Sequence, residues 1–173
     1  MKKVFAISLF ILLIVSCKKD PPINPPADPI YPGEIYFTLN DNVTLKQSVN
    51  TILGLGIKNY TLEHFYYTQA IPNDSSHYYW GIFKNCTYLT SFDVGSSGFQ
   101  DFDFQNLSYI NFTSWDSLIK KHSLIEMPYG AEGYYRDGIV SVPVGQEKVW
   151  IDKLNSLSII NNARYIYEVS NVP

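Results

Sequence analysis

The chain has 173 residues, 46% of them hydrophobic, 16% aromatic and only 17% charged. That apolar content excludes a disordered chain, and the charged fraction is below the about 25% of an average globular protein. The net charge of −3 gives no electrostatic reason to hold nucleic acid or an anionic lipid surface.

The first stretch is set apart from the rest. Lys2 and Lys3 precede Val4–Val15, which is apolar except for Ser8, and Ser16 and Cys17 close the segment. A basic start, an apolar run too short for a membrane span of about 20 residues and a small residue at the end make the layout of a secretory signal. Ile14-Val15-Ser16-Cys17 resembles the bacterial lipoprotein box. The resemblance implies cleavage before Cys17, acylation of Cys17 and attachment to a membrane through that lipid. An uncleaved anchor would leave nearly the same topology. Loss of Lys2 and Lys3 takes the net charge from −3 to −5. The domain organisation expected is therefore 1–16 signal, 17–33 acylated cysteine and tether, and 34–173 one globular domain.

Residues 18–33 contain six prolines. They forbid a helix and predict an extended tether of about 3.1 Å per residue, reaching roughly 45 Å. Ile35, Phe37 and Leu39 alternate with Tyr36 and Thr38, which predicts a strand. Thr44 and Gln47 match a capping box ahead of the helical stripe Leu45, Val49, Ile52 and Leu53, and Gly54 and Gly56 end that helix. Residues 59–70, rich in Tyr, Phe and Thr, predict a second strand. Pro72-Asn73-Asp74-Ser75 is a turn into a helix carrying Tyr79, Phe83 and Cys86, and Gly95-Ser96-Ser97-Gly98 is a second turn.

Phe99, Asp101, Asp103 and Gln105 alternate with Gln100, Phe102, Phe104 and Asn106, and a strand is expected over Tyr109–Phe112. Ser114 caps a short helix facing inward through Trp115, Leu118, Ile119 and His122. Pro128–Gly133 reads as a loop and Arg136-Asp137-Gly138 as a turn. A strand from Ile139 ends at Pro143. A helix follows, with Glu147 at the favourable end of its dipole and Trp150, Leu154 and Leu157 as its stripe. Ala163, Tyr165, Tyr167 and Val169 make a last strand. Strand, helix, strand thus occurs at both ends of the domain. This predicts an α+β fold with helices on one face of a mostly antiparallel sheet, in a split strand-helix-strand, ferredoxin-like arrangement. A β-sandwich is the alternative.

Cys17 followed by Lys18-Lys19-Asp20 and a proline-rich tether resembles the small lipoproteins of Bacteroidetes-type bacteria. Val142-Pro143-Val144-Gly145-Gln146-Glu147, Trp150, Leu154 and Ala163 resemble the closing strand-helix-strand of uncharacterised members of that group. The resemblance implies a lipid-anchored protein of the cell envelope, on the inner or outer membrane, and carries no activity. More distantly, the same unit resembles subtilisin propeptides and their stand-alone inhibitor relatives. In those proteins a ferredoxin-like sheet packs on the protease and a C-terminal tail enters its cleft. Here Ser170-Asn171-Val172-Pro173 would be that tail.

Little in the sequence points to chemistry. His64, His77 and His122 stand at no ligand spacing, and on a regular strand Glu63 and His64 point to opposite faces. No metal site is expected, and no fingerprint of a cofactor occurs. Cys86 reads as a small apolar core residue. Asp101 and Asp103 share a strand face. They read as its wet side, or alternatively as a carboxylate pair that binds Ca²⁺ or does glycan chemistry. Asp116-Ser117-Leu118 resembles the O-glycosylation motif of Bacteroidetes. With 14 Tyr in the chain, the expected function is a non-enzymatic module binding an envelope protein or a glycan. Tyr66, Tyr67, Tyr78, Tyr79, Tyr134 and Tyr135 are its candidate contacts. Paired tyrosines on a strand cannot both face the core, so some of them should be exposed.

Overall fold

The computed structural model describes residues 31–69, 81–94, 99–128 and 135–167. Cys17, the tether to residue 30 and the turns at 72–75 and 95–98 lie outside them, as does most of the helix expected before Cys86. Strand β1 (Glu34–Leu39) buries Ile35, Phe37 and Leu39 and leaves the residues between half-exposed. Helix α1 (Leu45–Gly54) starts at the expected box: Gln47 N donates to Thr44 Oγ1 at 3.2 Å and Thr44 N to Gln47 Oε1 at 2.8 Å. Two donors that would otherwise lack partners are thus satisfied reciprocally. Strand β2 (Tyr60–Gln69) follows, then β3 (Leu89–Val94), β4 (Phe99–Gln105), helix α2 (Tyr109–Lys121) and β5 (Leu124–Glu126). The chain ends with β6 (Asp137–Ser141), α3 (Glu147–Asn155) and β7 (Ile160–Tyr165).

The strands form one open sheet in the order β3-β4-β2-β6-β1-β7, with β5 paired to β2. Every pairing is antiparallel. The β-sandwich alternative is thereby excluded among the described residues. β6 lies between β1 and β2, and β1 lies between β6 and β7. Numbered within the two strand-helix-strand units alone, the order is 4-1-3-2, the split arrangement expected. Everything from β3 to β5 is inserted between the second and third strands of that plan. It widens the sheet beyond β2: β6 pairs with residues 60–63 of β2 and β5 with residues 67–69.

The core lies between the helices and one face of the sheet. Beneath α1 and α3 it holds Ile35, Phe37, Val49, Leu62, Val140 and Leu154. In the inserted half it is aromatic. Trp115 of α2 meets Phe102, Phe104 and Tyr67 edge-on at 4.9, 5.0 and 5.4 Å, and donates its Nε1 proton to the Tyr67 hydroxyl at 3.1 Å. Each such pair adds about 0.5–1.5 kcal/mol beyond the area it buries. Gly138 is required where β6 passes under Phe37. A Cβ there would stand 2.3 Å from the Thr61 carbonyl and 2.8 Å from the Phe37 ring.

Three local expectations are corrected. Tyr109–Phe112 is the first turn of α2, not a strand, because Ser108 and Asn111 form a second capping box. Ser114 is therefore inside the helix, its hydroxyl turned back to the Ile110 carbonyl at 3.4 Å. Arg136-Asp137-Gly138 is not a turn, since Asp137 and Gly138 belong to β6. Arg136 is buried, with its guanidinium donating to the carbonyls of Val43 and Met127, 3.6 Å from Glu126 and above the Phe65 ring. Glu126 in turn accepts from Leu45 N at 2.8 Å, so this buried ion pair ties β5 to the start of α1. Strand β5, three residues long, carries no alternation that a sequence reading could find.

Two further contacts close the ferredoxin-like half. Glu147 accepts from Gly33 N at 2.8 Å, and backbone donors there hold its carboxyl below the usual range. At the outer edge of β7, Asn155 of α3 donates to the Ala163 carbonyl at 3.1 Å and accepts from Ala163 N at 2.7 Å. Among the described residues no helix is long and apolar enough to cross a membrane.

Candidate functional site

The site is on the face of the sheet opposite the helices, and strand alternation places most of it there. In β4, Gln100, Phe102 and Phe104 turn inward and are buried, while Phe99, Asp101 and Asp103 turn outward. In β6, Gly138 and Val140 turn inward and Asp137 outward. Asp137 is opposite Glu63 of β2, and Asp101 is flanked by Tyr66 of β2 and Asp93 of β3.

A bulge completes the cluster. Leu62 pairs with Phe104 and Phe65 with Phe102, so β2 takes three steps where β4 takes two. His64 takes up the extra residue at φ +63°, a left-handed conformation costing a non-glycine residue of order 1 kcal/mol or more. The bulge cancels the alternation that would separate Glu63 from His64, and both reach the outer face. His64 N donates to Asp103 Oδ1 at 3.0 Å, and its Nδ1 lies 3.0 Å from Asp101 Oδ2. The Ser91 hydroxyl donates to Asp103 Oδ2 at 2.5 Å. Across β6, the Tyr36 hydroxyl donates to Asp137 Oδ2 at 2.5 Å, with the Arg164 guanidinium 5.0 Å above the Tyr36 ring.

Four carboxylates and an imidazole therefore share one patch. The ligand atoms of Glu63, His64 and Asp137 lie within 4.8 Å of one another, and so do those of His64, Asp101 and Asp103. An ion with bonds of about 2.4 Å can bridge that span. One oxygen of Asp101 and one of Asp137 are buried without a hydrogen-bond partner. Burial, then the charge of Asp103 among the neighbours, pushes the Asp101 and Asp137 carboxyls above the usual range, although His64 beside Asp101 and Tyr36 beside Asp137 pull the other way. Burial and the charges of Asp137 and Asp103 raise Glu63. For His64, burial alone favours the neutral ring. The hydrogen bond to Asp101 and the surrounding carboxylates outweigh it and raise its pKa.

No protein-family model, curated protein or solved structure matches the chain.

The residues singled out from the sequence are scattered. Asp101 and Asp103 do share a face, half-buried within a network rather than freely wet. Tyr67 is 2% exposed in the aromatic core and Tyr66 is 7% exposed on the outer face, so neither half of this pair offers the exposed surface expected. Tyr66 is covered although it points away from the helices: it stacks against His64 at 6.3 Å, and its carbonyl accepts from Met127 N. Tyr135 is exposed, and Tyr78, Tyr79, Tyr134 and His77 lie outside the described residues. His122 caps α2, its pKa lowered by burial and by Lys121. Glu63, His64 and Asp137 were missed as a group. The adjacency Glu63-His64 was visible, but the bulge that turns the two together was not.

Proposed function

We propose that the chain is a lipid-anchored cell-envelope domain, held through Cys17 and the 18–33 tether, that binds an envelope protein or glycan at the helix-free face of its sheet through a divalent cation. The strongest support is two adjoining ligand groups that share His64, one with Glu63 and Asp137 and one with Asp101 and Asp103, each with one buried carboxylate oxygen that has no partner. Four carboxylates bunched on one face repel one another. A cation relieves this and keeps coordination positions for a ligand's hydroxyl or anionic groups. Oxygen-rich donors with one imidazole suit Ca²⁺, Mn²⁺ or Zn²⁺. Exposed Tyr135, two residues before Asp137, adds an aromatic contact beside the cluster.

Calorimetric titration of the full chain in detergent, stripped with EDTA, tests this reading. One of CaCl₂, MnCl₂ and ZnCl₂ is expected to give a saturable heat that Asp101→Asn with Asp137→Asn removes. Absence of heat with all three would refute it.

The 4-1-3-2 strand order supports a second reading, an inhibitor resembling subtilisin propeptides, although folds of this kind host many functions. It predicts that the chain slows a subtilisin-like protease and that deleting Ser170–Pro173 abolishes the effect. Less supports a glycan-cleaving pair at Asp101 and Asp103. Their ligand oxygens lie within 4.8 Å, short of the about 5–5.5 Å of retaining glycosidases or the wider gap of inverting ones.

A further inference from the structure

Away from the carboxylate cluster, a cleft of about 510 Å³ opens between the turn at 85–88 and α2. That volume lies in the range of small-molecule sites, about 300–1,000 Å³. Tyr88, Leu118 and the half-buried Cys86 line it, with the Tyr88 hydroxyl hydrogen-bonded to the Cys86 thiol and Trp115 edge-on to Tyr88 at 6.5 Å. Its polar lining is made by Asn85, Ser114, Ser117 and Lys121. The Ser117 hydroxyl donates to the Thr113 carbonyl at 2.9 Å and that of Ser114 to the Ile110 carbonyl at 3.4 Å. With their protons engaged by the helix, both oxygens keep lone pairs with which to accept from a ligand. The neighbouring Lys120 is paired with Asp116 at 2.8 Å. Lys121 has no carboxylate within 4.0 Å among the described residues, so its charge is available at the rim.

Apolar surface, two hydroxyl acceptors, the Asn85 amide and one cation set the occupant's chemistry. It carries one anionic group for Lys121, hydroxyl donors for the two serines, and a face of C–H groups for Tyr88 and Leu118. We propose that this cleft is a second ligand site, selective for a hydroxylated small carboxylate of the sugar-acid class, with Lys121 as its counter-charge. The site stands independently of the cation site, with which it shares no residue.

The test uses the full chain in detergent, with glucuronate as the probe and glucose and octanoate as comparators. The rate at which iodoacetamide alkylates Cys86 is followed by peptide mapping, which separates Cys86 from Cys17. Glucuronate at twice its dissociation constant is expected to slow alkylation about threefold. Glucose and octanoate should leave the rate unchanged, and Lys121→Ala should abolish the protection. No protection by glucuronate, equal protection by either comparator, or full protection in Lys121→Ala would overturn the proposal. Should Cys86 resist the reagent under all conditions, equilibrium dialysis with labelled glucuronate on the same two proteins decides it by the same criteria.

Discussion

The two faces of the sheet are made by the same strands, yet they are stabilised in opposite ways. β4 sends Phe102 and Phe104 toward α2 and Asp101 and Asp103 away from it. On the helix side the aromatic core is satisfied by its neighbours: Trp115 finds three ring edges and a hydroxyl for its own N–H. On the bare side the carboxylates are crowded, raised in pKa and left with unpartnered oxygens. A protein selected for stability alone has no use for the second arrangement, because like charges held together destabilise the fold that holds them. Packing explains the aromatic core of the first face. The second is the face that the proposed cation would complete.

Substitutions on the two faces should therefore differ in sign as well as size. The largest effect is expected at Trp115. Trp115→Ala removes the centre of the aromatic core and the donor to Tyr67, and should cost about 3–5 kcal/mol in urea unfolding. A loss under about 1 kcal/mol would mean that α2 does not pack as described. Next comes Gly138→Ala, where the new methyl meets the Thr61 carbonyl and the Phe37 ring. It should cost about 1–3 kcal/mol by the same measurement.

On the bare face the sign reverses. Asp101→Asn with Asp137→Asn should raise the melting temperature of the EDTA-treated chain at neutral pH, since it removes charges the fold disfavours. The gain is small, within about 1 kcal/mol, or roughly 2–4 °C. The pH dependence sharpens the contrast. Glu63, Asp101, Asp137 and His64 all have raised pKa values. Each contributes stability that is fully present below its ordinary pKa and lost as pH rises through the raised one. Without cation the melting temperature should fall as pH rises above the ordinary carboxyl range, about 4, and fall further above the ordinary histidine value, about 6.5, less steeply in the double variant. A fall of equal steepness in both proteins would move the cause elsewhere, for example to Glu126, which burial also raises.

The framework of the ferredoxin-like half could be read from local signals. The Thr44/Gln47 box, the alternation of Ile35, Phe37 and Leu39, and the stop at Pro143 each act within a few residues and are found as expected. The inserted half was harder, because its elements depend on partners distant in the chain. Tyr109–Phe112 has the composition of a strand and becomes helix because Ser108 and Asn111 cap it. β5 exists because β2 extends past β6 and leaves an edge to be filled. The site was least legible of all. Asp101 and Asp103 could be assigned to one face by counting. Glu63 follows buried Leu62 and faces outward by alternation, but His64 joins it only through a one-residue slip against β4, set by the pairing of Leu62 with Phe104 and Phe65 with Phe102. A period-two reading places these two side chains on opposite faces until the partner strand is known.

The contact between Asn155 and Ala163 has a colloidal consequence. A strand at the margin of a sheet exposes a ladder of donors and acceptors to which another molecule's strand can add, and growth by such addition has no natural end. At Ala163 both outward groups are occupied by a side-chain amide, which imitates one rung of a further strand but cannot propagate. At that rung β7 is blocked from within the molecule, so a second copy's strand could add there only by displacing Asn155.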